Sequence, residues 1–414
     1  MADTAPGPDA APGPGSVAII GAGPAGFSAA AELRRRGFTG SIQLVDPSGQ
    51  PHDRPPLSKA YLAGTLEESG LALAAPGWFS ENAVELVADA AVSLDPDAGT
   101  ATLAGGGELQ ADILLLATGG AARALRFPGS AFVHTLRSKA DADALRPVLG
   151  PGKRLAIIGA GLIGAEVAST AAALGTAVVL IDPVPVPLVP AVGVELAAYL
   201  HSMHAEAGIK TITGLPVDVL QGSGGNSVLL DDGSLIEADA VLAAVGMVPS
   251  TFLAQAAGIA VDDGVLVDTA GRTSHPRVFA AGDSVRRQAG GVLERRAEHW
   301  DSAVRSGRAA AAGILGGEPE PEAVPWFWTD RHGVHAEAVG NMAADGKSVE
   351  RGVPGPGYVV FRTAPDGTLA GAAGVDAGNT LRAARRLIAL KKPVPAEQLA
   401  DPGADLRRLA RSRP

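Results

Sequence analysis

Short aliphatic runs alternate with Ala-rich helical stretches along most of this chain. The first run, at 17–20, precedes a glycine-rich turn, a helical stretch to about Arg36 and a second run at 41–46. A β-branched run, a tight turn and a helical period in this order indicate a β-α-β unit. Gly37, directly after three arginines, is a typical helix stop. The pattern therefore predicts a first β-α-β unit over 17–46.

The same order of elements returns further along the chain. A run at 155–158 precedes another glycine-rich turn, a helical stretch to about Leu174 and a run at 177–182. The other predicted elements are a meander at 84–103, a buried strand at 113–116, a turn at 231–233, strands at 240–245 and 278–281, and helices at about 298–315 and 381–392. This duplication predicts an α/β fold with two Rossmann-like domains.

A Pro/Glu-rich stretch at 318–325 separates a distinct C-terminal segment from the two units. The segment begins with Trp326, Phe327 and Trp328 and ends in the basic helix, so we expect a separate α+β domain there. The predicted boundaries are a disordered tail at 1–15, a discontinuous first domain at 16–120 and 250–324, a second domain at 121–249 and a C-terminal domain at 325–414.

Composition narrows the classes of protein that this chain could be. The 414 residues carry a net charge of −10, which argues against nucleic acid as a partner. Neither a secretory signal nor an apolar run long enough to span a membrane is evident, so we expect a cytoplasmic protein without a membrane partner. The chain has no cysteine, which excludes disulfide and thiolate–metal chemistry. No metal site is predicted.

Two G-x-G-x-x-G loops stand between a strand and a helix. They are Gly21-Ala22-Gly23-Pro24-Ala25-Gly26 and Gly159-Ala160-Gly161-Leu162-Ile163-Gly164. In such a loop the first glycine permits the bend, the second lets the backbone approach a pyrophosphate, and the third lets helix and strand pack closely. The anion then lies at the positive end of the helix. Two loops predict two bound nucleotides.

An acidic residue ends the second strand of each unit. Asp46 lies 25 residues after Gly21 and Asp182 lies 23 after Gly159, where a carboxylate would accept hydrogen bonds from ribose hydroxyls. A carboxylate at Asp182 would also repel a 2′-phosphate, and no arginine follows it. We therefore expect NADH rather than NADPH at the second loop.

Taken with other stretches, these loops resemble the flavin-dependent ferredoxin reductases that serve bacterial cytochrome P450 and ring-hydroxylating oxygenases. The matching stretches are 21–26, 54–59, 117–119, 159–166, 280–283, 296–300, 326–330 and 383–388. The resemblance implies a glutathione-reductase-like arrangement, with FAD on the first unit, NADH on the second and a C-terminal domain that covers the flavin. Electrons would pass from NADH through FAD to a [2Fe–2S] ferredoxin.

The resemblance also implies roles for individual residues. For FAD these are Gly21, Gly23, Pro24, Ala25, Gly26, Asp46, Arg54, Lys59, Ala117, Thr118, Gly119, Gly282, Asp283, Glu298, His299, Trp300 and Trp328. For NADH they are Gly159, Gly161, Leu162, Ile163, Gly164, Glu166, Asp182 and Gly246. Lys59 and Glu166 would pair close to flavin N5 and are the expected catalytic residues. His52, Arg331 and Glu337 depart from the family, which usually has Tyr, Gln and Gln there.

Because ferredoxins are acidic, an acidic reductase needs a local basic face for docking. The candidate residues are Arg286, Arg287, Arg295, Arg296, Arg305 and Arg308, and, near the C-terminus, Arg382, Arg385, Arg386, Lys391 and Lys392. A solvated helix face explains such clusters equally well.

Two other functions stay open at this point. One is an NADH-dependent flavoprotein that reduces a small acceptor such as a quinone. The other is an NADH-sensing flavoprotein that resembles apoptosis-inducing factor. Dithiol reductases and cysteine-based oxidases are excluded, because the chain lacks the thiol that they require.

Overall fold

The computed structural model describes residues 14–222, 225–321 and 323–411, which divide into two compact units. Within these residues, unit 1 comprises 14–53, 72–120 and 249–321, and unit 2 comprises 54–71, 121–222, 225–248 and 323–411. Two of the five points at which the chain changes units lie within β8 (Gly120–Ala122) and β16 (Met247–Pro249). The predicted tail lies outside the described residues except for Pro14 and Gly15.

Unit 1 is built on a parallel sheet with the order β18-β7-β1-β2-β3. Its strands are β1 (Ser16–Ile20), β2 (Ser41–Val45), β3 (Val84–Val87), β7 (Ile113–Leu116) and β18 (Val278–Ala280). The central strands are almost entirely buried, which explains their continuous apolar runs. Helix α1 (Pro24–Arg35) packs against α8 (Trp300–Ile314) through small residues: a Cβ on Gly307 would lie 2.1 Å from Ala25 O.

One predicted element of unit 1 is wrong. The residues of β3 were predicted within an antiparallel meander, but they pair in parallel with β2. The meander consists instead of β4 (Ala91–Asp95), β5 (Thr100–Leu103) and β6 (Glu108–Gln110). Periodicity indicates a strand without indicating which strand it pairs with. The remaining elements are α2 (Trp78–Glu81), α7 (Phe252–Ala256), β17 (Val265–Val267), β19 (Val285–Ala289) and β20 (Val292–Leu293).

Unit 2 repeats the parallel plan with the order β11-β10-β9-β15. Its parallel strands are β9 (Arg154–Ile158), β10 (Ala177–Asp182), β11 (Lys210–Thr213) and β15 (Ala240–Ala243), the last shorter than predicted. Helix α4 (Leu162–Ala173) follows β9. The other elements of this part are α3 (Lys139–Leu145), α5 (Val189–Val192), α6 (Val194–Glu206), β12 (Pro216–Gly222), β13 (Gly225–Leu230) and β14 (Leu235–Ala238).

The C-terminal part of unit 2 is an antiparallel sheet with the order β21-β22-β25-β24-β23. Its strands are β21 (Trp326–Arg331), β22 (Val334–Gly340), β23 (Lys347–Arg351), β24 (Val359–Thr363) and β25 (Leu369–Val375). Helices α9 (Gly378–Leu390), α10 (Ala396–Ala400) and α11 (Leu406–Arg411) follow. α9 covers one face of the sheet, and α5 and α6 pack on residues of the other. The predicted basic helix thus ends at Leu390, before Lys391 and Lys392.

The segment 54–71 is fastened within unit 2 by polar contacts around Tyr61. Its hydroxyl donates to Asp143 at 2.7 Å, and Arg146 donates to its backbone oxygen and stacks on its ring. Lys139 pairs with Asp143 at 2.9 Å. These contacts fix the short turn that carries Ser58 and Lys59.

Among the described residues, no helix combines the length and apolarity needed to cross a membrane.

Candidate nucleotide and redox site

The first glycine loop joins β1 to α1 in unit 1. Gly21 has a φ of +107°, and a Cβ on Gly26 would lie 1.9 Å from Gly21 O, so side chains are excluded at both positions. A Cβ on Gly23, in contrast, would meet no atom within 4 Å. Asp46 accepts a hydrogen bond from Ala22 N at 3.0 Å. The start of α1, directly after Gly23, has no side-chain cap.

Two turns of unit 1 contain further residues predicted for FAD. Thr118 Oγ1 donates to Ser250 O at 2.7 Å, which ties 117–119 to the residue directly after β16. Gly282 adopts a φ of +83°, and its N–H donates to Ser306 Oγ on α8 at 2.8 Å. Asp283 is in the same tight turn as Gly282, at the end of β18.

The start of α8 completes the predicted set in unit 1. His299 is the N-cap residue, and α8 begins at Trp300, later than the predicted 298. Burial lowers the pKa of His299, against the opposing effect of Asp283. Trp300 Nε1 donates to Asp53 at 2.8 Å. Glu298, just before the helix, pairs with Arg296 at 2.9 Å. Of the residues predicted for FAD, Arg54, Lys59 and Trp328 alone belong to unit 2.

The second loop, between β9 and α4, has the same geometry as the first. Gly159 has a φ of +100°, and a Cβ on Gly164 would lie 1.9 Å from Gly159 O. Gly161, like Gly23, has open space where its Cβ would be. Asp182 accepts from Ala160 N at 2.8 Å. Ile163 is exposed on the first turn of the uncapped α4, and Gly246 takes a φ of +94° after β15.

Glu166 is a buried carboxylate at the centre of a polar cluster in unit 2. Only 4% of it is exposed, although α4 is otherwise apolar on that side. Four groups donate to it: Ser58 Oγ at 2.5 Å, Thr329 Oγ1 at 2.8 Å, Asp330 N at 3.3 Å and Lys59 Nζ at 3.4 Å. A buried carboxylate is stable only with donors of this kind. The structure thus brings Lys59 and Glu166 together.

Lys59 is held on its other side by residues of β21. Its Nζ lies 2.9 Å from Asp330 Oδ2 and 5.7 Å from the centre of the Trp328 ring. Asp330 Oδ1 lies 2.6 Å from His335 Nδ1. Burial acts to raise the pKa of Asp330, but the hydrogen bonds with His335 and Lys59 outweigh it and leave that pKa lowered. Asp330 is therefore a carboxylate anion that contacts both Lys59 and His335.

The departures at Arg331 and Glu337 have clear surroundings in unit 2. Glu337 Oε2 accepts from Trp326 Nε1 at 2.7 Å, and Trp326 stacks on Trp328 with ring centres 4.9 Å apart. Arg331 is 3% exposed; burial lowers its pKa to about 10, against the opposing effect of Glu166. Its Nε and Nη2 have no hydrogen-bond partner among the described residues.

Histidines surround Arg331. His204 Nδ1 and His332 Nε2 lie 2.9 Å apart. His204 is 1% exposed, and burial, with the positive charge of Arg331, lowers its pKa to about 3. The third departure, His52 in unit 1, has a buried Nε2 without a partner in the described chain.

The sequence alone did not reveal the partners of Glu166. Ser58, Thr329 and Asp330 are polar residues in stretches that resemble the family, but no local pattern shows that they converge on a helix more than a hundred residues away in the chain. His335 carries no sequence signal beyond being a histidine near Asp330. Within the described ranges, no group of three or more His, Asp or Glu side chains could hold a metal ion.

Several arginines of the first basic cluster form ion pairs within unit 1. In unit 1, Arg286 pairs with Asp262 at 3.0 Å, Arg287 with Glu294 at 2.7 Å and Arg296 with Asp263 at 3.2 Å. These pairs offset much of the positive charge of that cluster. On α9, Arg382 and Arg386 are exposed.

Comparison with known proteins agrees with this geometry. The family described as pyridine nucleotide-disulphide oxidoreductase matches residues 15–307, and the one described as reductase C-terminal matches residues 326–410. The ferredoxin–NAD(+) reductase component of the biphenyl dioxygenase system of Paraburkholderia xenovorans is 37% identical, over 96% of this chain and 99% of its own. The chain belongs to the ferredoxin reductases of bacterial oxygenase systems.

Solved structures support the same assignment. The ferredoxin reductase for the CYP199A2 system of Rhodopseudomonas palustris has a TM-score of 0.90 at 32% identity, covering 96% of this chain and all of its own. The reductase in the covalent putidaredoxin reductase–putidaredoxin complex has a TM-score of 0.89 at 30% identity, covering 95% and 97%. Family membership confirms the predicted fold class, the enzyme class of ferredoxin reductase and the cofactors FAD and NADH.

The residues present fit these cofactors. Each loop leaves open space at its second glycine, beside an uncapped helix N-terminus, as a pyrophosphate requires. Each loop is also braced by an aspartate at the end of the next strand. The chain has no cysteine, although the name of the wider family refers to disulphides.

Proposed function

We propose that this protein oxidises NADH at the loop 159–164 and delivers the electrons singly to a [2Fe–2S] ferredoxin. FAD bound at the loop 21–26 supplies the chemistry that links a two-electron donor to a one-electron acceptor. The observation that carries the proposal is the pair of matching dinucleotide loops in a chain without cysteine. A dithiol cannot take part, so the electrons must leave for an external acceptor.

The chain's own residues would bind and orient the two cofactors and shield them from water. The first loop with Asp46, together with 117–119, Gly282, Asp283, Arg54 and Trp328, would hold FAD, and the start of α8 would direct its positive dipole end towards the flavin. The second loop with Asp182 and Gly246 would hold NADH. Glu166 fixes the ammonium of Lys59, which supports a positioning role beside the flavin ring. In this proposal 16–120 and 250–324 form the FAD domain, 121–249 the NADH domain and 325–414 the covering domain.

The acceptor would dock on a basic surface defined by Arg382 and Arg386 on α9 and by Lys391 and Lys392 directly after it. Arg382 and Arg386 are exposed, whereas Arg286, Arg287 and Arg296 of unit 1 form ion pairs with neighbouring acids. Charge complementarity acts mainly on the rate of association. We expect Arg386→Glu combined with Lys392→Glu to lower ferredoxin turnover about tenfold at low salt and to spare ferricyanide reduction. The same charge reversal at exposed Lys210 is the control; equal loss with both acceptors would remove the docking role.

Cytochrome c reduction tests the function itself. With NADH, activity should require an added [2Fe–2S] ferredoxin, and NADPH should support it poorly. Saturable quinone reduction that is indifferent to ferredoxin would favour a quinone reductase. Slow turnover with an NADH-dependent change in oligomeric size would favour a sensor. We place this reaction in the cytoplasm, where NADH is available and a chain without disulfides is at no disadvantage.

A further inference from the structure

A chain of hydrogen-bonded titratable groups leads outwards from the buried Glu166. Lys59 Nζ lies 3.4 Å from Glu166 Oε1 and 2.9 Å from Asp330 Oδ2. The other oxygen of Asp330 lies 2.6 Å from His335 Nδ1. The exposed fraction of the side chains rises along this order, from 5% for Glu166 to 19% for Lys59, 41% for Asp330 and 43% for His335. The chain therefore runs from the interior of unit 2 to solvent.

The outer three members share a cavity. Lys59, Asp330 and His335 all line a space of about 600 Å³, with Thr65 and Asp376 among its other lining residues. Since a water molecule occupies about 30 Å³ in the liquid, this space admits many waters. His335 therefore has a proton acceptor within reach on its solvent side.

Carboxylates lie at both sides of the His335 ring. Asp330 lies on β21 at its Nδ1 side, and Glu337 Oε1, on its own strand, lies 3.6 Å from its Nε2. Asp376, directly after β25, accepts from the backbone N–H of His335 at 3.1 Å. Lys59 is the cation on the far side of Asp330. A carboxylate oxygen thus lies 2.6 Å from one ring nitrogen of His335 and another lies 3.6 Å from the other.

The proposed function creates a need for a group that passes on a proton. The overall reaction converts one NADH and two oxidised ferredoxins into NAD⁺, two reduced ferredoxins and one proton. Ferredoxin accepts only electrons, so for each NADH one proton must leave the site by way of the protein. Lys59 is the titratable group that the proposed function puts beside the flavin, and Asp330 is its outward partner.

We propose that His335 is the solvent-side end of a proton path that begins at Lys59 and passes through Asp330. As Lys59 Nζ accepts a proton, it gives one up to Asp330 Oδ2. The carboxyl group of Asp330 then turns so that this proton passes to His335 Nδ1, and His335 releases the proton of its Nε2 to water. One proton reaches solvent and Asp330 is again an anion, while exchange of the ring protons with water in the cavity returns His335 to its starting tautomer. This inference rests on the proposed function.

The test follows proton release in the flavin-loaded protein by stopped flow with a pH-indicator dye. The protein is first reduced with NADH, which bleaches the flavin, and then reoxidised with ferricyanide. For His335→Gln we expect bleaching within about twofold of the unchanged protein, and proton release slowed about tenfold or more and restored by added imidazole. Asp330→Asn should show the same slowing without rescue. His332→Gln, which alters a histidine of the same cavity outside the path, should behave like the unchanged protein.

A second readout requires no turnover. In the resting oxidised protein, the ¹⁵N NMR signals of the His335 ring should move in Lys59→Met and in Asp330→Asn, because Asp330 links the two bases. Normal proton release in His335→Gln would overturn the path. Slow release that imidazole does not restore would also overturn it, since it would show that His335 only braces Asp330. Failure of NADH to bleach the unchanged protein would instead overturn the proposed function.

Discussion

The glycine loops that join β1 to α1 and β9 to α4 have the same geometry, but the two helices contribute different side chains. In both, the first glycine has a φ near +100° and the third lies 1.9 Å, at its would-be Cβ, from the carbonyl oxygen of the first. Seven residues after the first glycine, however, α1 carries Ser28 and α4 carries Glu166, both buried. The glycine loop is thus the same in both halves. The helix that follows it determines whether a buried carboxylate lies beside the loop.

The packing partners of the two helices explain this difference. α1 lies against α8 through Ala25 and Gly307, where backbone approach leaves no space for a large polar group. α4 lies against β21 and the turn at Ser58, which supply the donors that a buried carboxylate needs. A charged residue is tolerated in the apolar α4 because its partners come from elsewhere in unit 2.

The largest expected effect concerns the third glycines. Gly26→Ala and Gly164→Ala should each lower the free energy of unfolding by about 3 kcal/mol, because the added methyl overlaps a carbonyl oxygen. Gly23→Ala and Gly161→Ala should stay within about 0.5 kcal/mol, since φ is ordinary and the space is open. Urea unfolding compares the four. Equal stability of Gly26→Ala and Gly23→Ala would show that the loop is not tightly closed.

Substitution of the buried carboxylate of Glu166 on α4 should cost more stability than substitution at the matching position of α1. Glu166→Gln is expected to cost about 2 kcal/mol, because hydrogen bonds to a charged acceptor are lost in a buried setting. Ser28→Ala, at the matching position of α1, should cost less than about 0.5 kcal/mol. Chemical denaturation measures both. Similar costs would mean that the polar cluster adds nothing specific to α4.

Acid should weaken unit 2 through His204. Its folded-state pKa of about 3 lies below the ordinary value of 6.5, so the unfolded chain binds the proton first as the pH falls. Between pH 6.5 and pH 5 this one group should remove about 2 kcal/mol of stability. His204→Gln should flatten the dependence of unfolding free energy on pH. An unchanged slope would contradict the burial of a neutral imidazole; His275→Gln, at a half-buried histidine of unit 1, is the control.

Substitutions at the second glycine of each loop should have a smaller energetic effect, but each should affect the binding of only one cofactor. In Gly161→Ala the new methyl occupies the space expected for the NADH pyrophosphate, so the KM for NADH should rise about tenfold, or 1.4 kcal/mol, with flavin content unchanged. In Gly23→Ala the flavin content should fall instead. Absorbance of the purified proteins and steady-state kinetics measure the two effects. Loss of flavin from Gly161→Ala would reverse the assignment of the loops.

Local features of this molecule were predictable, and contacts between distant segments were not. The glycines with positive φ, the acids that end β2 and β10, and the buried strands follow from short-range patterns. The pairing of Val84–Val87 with β2 does not, because a strand's period carries no information about its neighbour. Likewise, the donors to Glu166 lie 108 and 163 residues away at Ser58 and Thr329, where only the folded chain brings them together.

Anaerobic titration of the purified protein with NADH tests the central claim most directly. We expect a yellow protein whose visible flavin band is bleached by about one equivalent of NADH and far more slowly by NADPH, because Asp182, which braces the second loop, is the residue proposed to bind the ribose. A colourless protein, or a yellow one whose colour persists under NADH, would contradict the assignment of a flavin to the first loop and a reducing nicotinamide to the second.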